Sequence, residues 1–88
     1  MIIASNFKTN YTRAKTKAFV YAVEAFLQTT RSPQEVRIYT PATALDCFKS
    51  TQTLRVGAQN FYPVQNGSFT GEIGFEQLEE FGTDTLLI

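Results

Sequence analysis

The strongest constraint on this chain is a regular alternation. Short apolar runs at Ile2–Phe7, Val36–Tyr39, Leu54–Ala58 and Thr85–Ile88 are separated by segments with helical spacing. Between the first two runs, Phe19, Ala22, Val23, Phe26 and Leu27 recur at that spacing. They predict an amphipathic helix ending near Gln28, with Thr12 or Thr16 as its cap. Thr40 closes the second strand, because the residue before a proline is disfavoured in the helical region. Pro41 or Ala42 then opens a short helix carrying Ala44, Leu45, Cys47 and Phe48. Phe75, Leu78 and Phe81 line a third helix, and Gly82 suits the position just past its end. Polar breaks at Thr29–Pro33 and Ser50–Thr53 link these elements. Strands and helices in strict alternation predict an α/β fold, a parallel sheet with right-handed crossovers, in which the first strand is buried. With 88 residues there is room for one domain at most. Thr85-Leu86-Leu87-Ile88 stops as an apolar strand with no polar closure. Such an end leaves an unpaired edge, and the expectation is a chain cut short there.

Composition narrows the function classes. The formal net charge is zero, so no basic footprint for nucleic acid is expected. Lys8, Arg13, Lys15 and Lys17 lie close in sequence, but Lys15 and Lys17 fall on different sides of a helix, as on a solvated face. The single cysteine, Cys47, cannot close an internal disulfide and is expected to act as a small buried hydrophobe. No histidine is present, which disfavours a metal site and removes the commonest general base. No signal sequence or membrane-length apolar run occurs, so a soluble cytoplasmic protein without membrane partners is expected.

The longest connection runs from Gly57 to Gly74, GAQNFYPVQNGSFTGEIG. Connections this long are functional or disordered. Phe61, Tyr62, Val64, Phe69 and Ile73 provide apolar side chains to bury, which predicts order. The loop is therefore expected to protrude and to touch something.

In parallel α/β folds, ligands gather at the C-terminal ends of the strands. Asn6 and Lys8 end the first strand, Pro41 and Thr43 follow the second, and Gln59 and Asn60 follow the third. Residues i and i+2 on a strand share a face, so an amide and an ammonium meet in one confined place. A lysine held there calls for an anion or a carboxylate; equally, it is a strand-end lysine reaching solvent. Thr70-Gly71-Glu72 at the loop tip is a second candidate, against its reading as a capped turn with a solvated glutamate. Asp46, Glu76, Glu79 and Glu80 are read as helix-surface charges.

The stretches NFKTN after an apolar run and GAQNFYPVQNGSFTGEIG before a helix resemble the triosephosphate isomerase family. That family carries N-x-K-x-N at the end of its first strand and A-Q-N…G-A-F-T-G-E in its third loop. TPATALD is similar to the family's second strand and following loop, with Thr40 in place of a first proline; in the long loop Ser68 stands in place of the usual alanine before Phe69. The likeness extends over the whole chain. It implies the first half of a (β/α)8 TIM barrel, parallel strands alternating with helices, over residues 1–88 through strand four, since such barrels need about 200 residues or more.

The resemblance further implies interconversion of dihydroxyacetone phosphate and glyceraldehyde 3-phosphate through an enediolate, with no cofactor and no metal. On that pattern Lys8 is the catalytic cation near the phosphate and the developing oxyanion. Asn6 positions Lys8 and binds substrate. Thr70 and Glu72 are dimer contacts, the 57–74 loop docking on a second subunit. The family places a Gly-His-Ser-Glu run after strand four and a glutamate base after strand six. Neither falls within this chain, so the 88 residues alone are expected to be inactive. The competing expectation is a non-catalytic half-barrel that self-associates through its strand edges.

Overall fold

The computed structural model describes residues 1–30, 34–48, 53–83 and 85–88, without the side chains of Cys47 and Phe48. The expectation for Cys47 and much of the two polar breaks therefore lie outside the described residues. Along the chain come β1 (Ile2–Asn6), α1 (Arg13–Thr30), β2 (Glu35–Thr40), a 3-10 helix (Ala42–Phe48), β3 (Arg55–Ala58) and α2 (Phe75–Glu80). The three strands form one parallel sheet in the order β1-β2-β3. Asn6 stands opposite Tyr39, and Tyr39 opposite Gly57. Thr85–Ile88 joins the sheet through a single parallel bridge, Leu86 to Ala58, with the Ala58 N–H donating to Thr85 O and the Leu87 N–H to Ala58 O.

Thr12, not Thr16, starts α1. Its Oγ1 accepts the Lys15 N–H at 3.2 Å, while Thr16 is buried a turn later. At the far end of the chain, α2 stops as the sequence predicts. Gly82 takes φ 71°, and the Gly82 and Thr83 amides donate back to Glu79 O and Leu78 O. Those are the paired bonds of a Schellman ending.

One sheet face is covered by the helices. Phe7, Val20, Leu27, Ile38, Ala44 and Leu54 form the first apolar cluster, with Val23, Val36 and Val56 packed against it. Leu45, Ala58 and Leu78 centre a second, under Phe61, Ile73 and Phe81. The opposite face carries alternate residues: Ile2, Ala4 and Asn6 on β1, Glu35, Arg37 and Tyr39 on β2, Arg55 and Gly57 on β3.

Three expectations need correction. β1 is not buried: all five of its residues are exposed, Ile2 at 54% and Ile3 at 50%. It is an edge strand with only β2 beside it. The expected fourth strand, Thr85–Ile88, is no strand among the described residues and meets the sheet through the one bridge at Leu86; the short helix expected after Pro41 is present, wound as a 3-10 helix. The inward face of α1 is also rotated from the predicted one. It buries Thr16, Val20, Glu24 and Leu27, leaving Phe19 and Phe26 at 42% and 64% exposed. The cause is Glu24. Its carboxylate, 7% exposed, accepts the Thr53 N–H at 2.7 Å, the Leu54 N–H at 2.8 Å and the Gln28 amide at 3.2 Å. A buried carboxylate needs such donors, and satisfying them sets the helix rotation.

Candidate active site at the strand ends

The C-terminal ends of β1, β2 and β3 meet at Lys8. This residue has φ 56°, the sole positive value among described residues other than glycine. For an L-residue with a long side chain that conformation costs about 1–2 kcal/mol, and it persists only where the surroundings impose it. They do so from both sides. The Lys8 N–H donates to Asn6 Oδ1 at 2.9 Å. Gln59 Nε2 donates to Lys8 O at 2.9 Å and to Tyr39 O at 3.0 Å. The Phe7 N–H reaches the same Tyr39 carbonyl, and Asn10 closes the turn onto Phe7 O through its amide at 3.0 Å.

The structure thus brings Asn6 and Lys8 together through the backbone amide of one and the side chain of the other. Gln59 stood in the sequence only as a residue following the third strand. It proves to be the clamp that joins the β1 and β3 ends, and its position in AQN directly after a strand was the available signal. Lys8 is exposed, and its ammonium makes no ion pair among the described residues. An unpaired cation on a backbone held rigidly at a strand mouth is suited to receive an anion or a developing negative oxygen.

Two neighbouring spaces flank the clamp. A small one of about 90 Å³ lies among Ala42, Ala58, Gln59, Asn60, Gly71 and Ile73. A shallower one of about 420 Å³ lies between the β1 end and α1, along Asn6, Asn10, Tyr11 and Phe19. Pro41 and Thr43 serve differently. The Pro41 carbonyl accepts the Ala44 N–H and starts the 3-10 helix, and Thr43 O accepts Arg13 Nη1 at 2.9 Å.

Asp46 and Glu76 are more than surface charges. Arg13 forms a two-pronged ion pair with Asp46, its Nη2 donating to Oδ2 at 2.6 Å, and so pins the start of α1 to the 3-10 helix. That guanidinium holds the Asp46 carboxyl below the usual carboxylate range. Glu76 accepts the Asn66 amide at 2.8 Å and ties the long loop to α2.

The loop itself is ordered by its own bonds, as its apolar content predicted. The Tyr62 N–H donates to Ile73 O at 2.8 Å, and the Phe75 N–H to Val64 O at 2.9 Å. Tyr62 packs on Phe69 with ring centroids 4.6 Å apart, and Phe61 stacks on Phe75 at 5.5 Å. Gly74 is required by close approach, since a Cβ there would sit 2.8 Å from Val64 O and 2.9 Å from Gln65 O. Between the loop and α2 lies a cavity of about 360 Å³, lined in part by Tyr62, Phe69, Glu72 and Glu76. Thr70 and Glu72 are exposed at the tip, with Phe69 beside them at 47%. No hydrogen bond or ion pair links Thr70 or Glu72 to Asn6 or Lys8 among the described residues. No cluster of His, Cys, Asp and Glu that could hold a metal occurs among them either, and no helix there is long and apolar enough to cross a membrane.

Comparison with known proteins agrees with this geometry. The family model for triosephosphate isomerase matches residues 1–88. The chain is 54% identical to the triosephosphate isomerase of Sulfurimonas denitrificans over 88 residues, which is all of this chain and 36% of the relative. It is 50% identical to that of a Sulfurovum species, again over the whole chain and 38% of the relative. The crystal structure of triosephosphate isomerase from Bartonella henselae superimposes with a TM-score of 0.83 at 28% identity, covering 97% of this chain and 35% of that one. The chain therefore spans a little over a third of the length of the relatives it matches. Its sheet with alternating helices corresponds to the N-terminal part of a TIM barrel. A Lys8 clamped at the strand mouth, an ordered third loop and agreement along the full sequence place this chain in the triosephosphate isomerase family.

Proposed function

We propose that residues 1–88 are the opening part of a cytoplasmic triose-phosphate isomerase of glycolysis and gluconeogenesis, and that they supply the cationic side of its site. The observation that carries this reading is the left-handed Lys8 backbone, held between Asn6 and Gln59. Dihydroxyacetone phosphate binds with its phosphate toward Lys8. A base outside these residues removes a proton from C1, and negative charge grows on the carbonyl oxygen as the enediolate forms. A unit charge about 4 Å from the Lys8 ammonium gains about 4 kcal/mol at an effective dielectric of 20. Because the Lys8 backbone is already fixed, little of that gain is spent on reorganisation during the reaction. Asn6 holds the Lys8 turn and faces the substrate. The family's glutamate base and neutral histidine electrophile belong to the part beyond Ile88. No step of proton transfer can be assigned within this chain.

The loop from Gly57 to Gly74 is the dimer contact on this reading. Its internal order and the exposed Phe69, Thr70 and Glu72 support docking on a second subunit. Sedimentation of the complete gene product as a monomer would count against it. The exposed β1 edge supports a second reading for the 88 residues alone, association through that strand without catalysis.

The deciding experiment assays the complete gene product for isomerisation of dihydroxyacetone phosphate, with and without Lys8→Ala. Wild type is expected to be active and the variant to lose about 10²–10³-fold in kcat. An inactive wild type, or an undiminished variant, rejects the assignment.

A further inference from the structure

The sheet face that carries no helix ends at the active-site mouth. Its other end is charged. Glu35, Arg37 and Tyr39 alternate along β2 on this face, and Arg55 of β3 stands in register with Arg37. Glu35 divides its two oxygens. Oε1 accepts Arg55 Nη1 at 2.8 Å, and Oε2 accepts Arg37 Nη2 at 3.1 Å. On the other side, β1 sets Ile2 opposite Glu35 and Ala4 opposite Arg37, and neither side chain accepts a hydrogen bond.

Arg37 is left half satisfied. Its side chain retains 27% exposure, yet its Nε is closed off from solvent and has no hydrogen-bond partner. A guanidinium presents a rigid fork of donors suited to a whole carboxylate. Arg37 has one oxygen of Glu35 and a side-chain bond to Tyr39, and neither is made through Nε. Closing a barrel over this face removes the remaining water. A buried guanidinium then requires a counter-charge. Glu35 is one carboxylate divided between two guanidiniums, which favours a charged acceptor over a neutral one.

We propose that Arg37 is completed by a second carboxylate, an Asp or Glu projecting into the barrel interior from outside the described residues. The inference rests on the reading of this chain as the opening part of a longer barrel. The groups facing Arg37 from the packed elements are Glu35 and Tyr39 on β2 and Arg55 on β3, so Glu35 is the only other titrating acid among the described residues there.

The test is thermal unfolding of the complete gene product, in a Glu35→Gln background that removes the known carboxylate. Adding Arg37→Met is expected to lower Tm by about 8 °C near neutral pH, because the second carboxylate is stranded without its partner. The sign of the pH dependence follows. With Arg37 present that carboxylate has a depressed pKa, so its contribution is complete above the ordinary carboxylate range and fades as pH falls through the folded value. Without Arg37 the buried acid takes up a proton more readily, so the Tm gap should shrink to about half near pH 5. Arg37→Lys, which keeps the charge but not the fork, should show a smaller loss with the same pH trend. A neutral or raised Tm on Arg37→Met means Glu35 is the sole partner and overturns the proposal. A loss that is equal at both pH values means lost packing and overturns it as well. Isomerase activity of the wild type is read separately, so failure of the family activity and failure of this ion pair are distinguishable.

Discussion

The two regions that make up the candidate site are finished to different degrees. The loop from Gly57 to Gly74 closes on itself: its backbone bonds, its Tyr62–Phe69 and Phe61–Phe75 ring pairs and the Asn66–Glu76 bond all lie within one stretch and the helix that follows it. The β1 end does not. Asn6 ends an exposed edge strand, Lys8 lies in the turn beyond it, and that turn is held from elsewhere, by Gln59 just after β3 and by the Tyr39 carbonyl of β2. The difference teaches where each region's order comes from. The loop is a prefabricated unit. The cationic corner is an assembled one, dependent on three strands standing side by side.

If the loop is self-contained, a change where its backbone packs closest against its own carbonyls should be costly. Gly74→Ala puts a methyl against two backbone carbonyls that cannot swing aside, and is expected to destabilise the complete protein by about 3 kcal/mol in urea unfolding. A loss below about 0.5 kcal/mol would show that the loop yields and is not prefabricated. At the assembled corner, the expected change has the opposite sign. Lys8→Gly relieves the left-handed strain and should raise stability by about 0.5–1 kcal/mol in the same unfolding measurement. A fall in stability would mean the lysine stem stabilises the corner more than its backbone strains it.

The smallest effect belongs to the strut behind that corner. Asp46 has a lowered pKa because Arg13 bonds it, so the pair contributes above the ordinary carboxylate range and loses that contribution as pH falls through the folded pKa. Thermal unfolding of wild type and Asp46→Asn should therefore differ slightly near neutral pH and converge below about pH 4. Parallel curves throughout would remove the strut from the account.

Much of this organisation is legible in the residues themselves. Alternating apolar runs and helical spacing set the order of elements, Gly82 marked the end of α2, and NFKTN with AQN pointed to the corner at the strand ends. What escaped was tertiary. Helical spacing nominated Phe19 and Phe26 as core because it weighs apolarity, whereas Glu24 turned the helix by bonding amides about thirty residues away. The exposure of β1 depends on which strands are beside it, and no property of Ile2 or Ile3 encodes that. Gln59 looked like any polar residue after a strand until two carbonyls were found within its reach.

Glu24 also bears on how such a fold can be divided. Barrels of this kind are commonly pictured as strings of interchangeable strand–helix modules, each cut at its loops. Here a side chain of the first helix holds the amides that open the third strand, passing over the second module entirely. A cut at either intervening loop would leave a carboxylate and two amides stranded in separate pieces. The smallest transferable unit of this chain therefore begins no later than α1 and ends no earlier than β3.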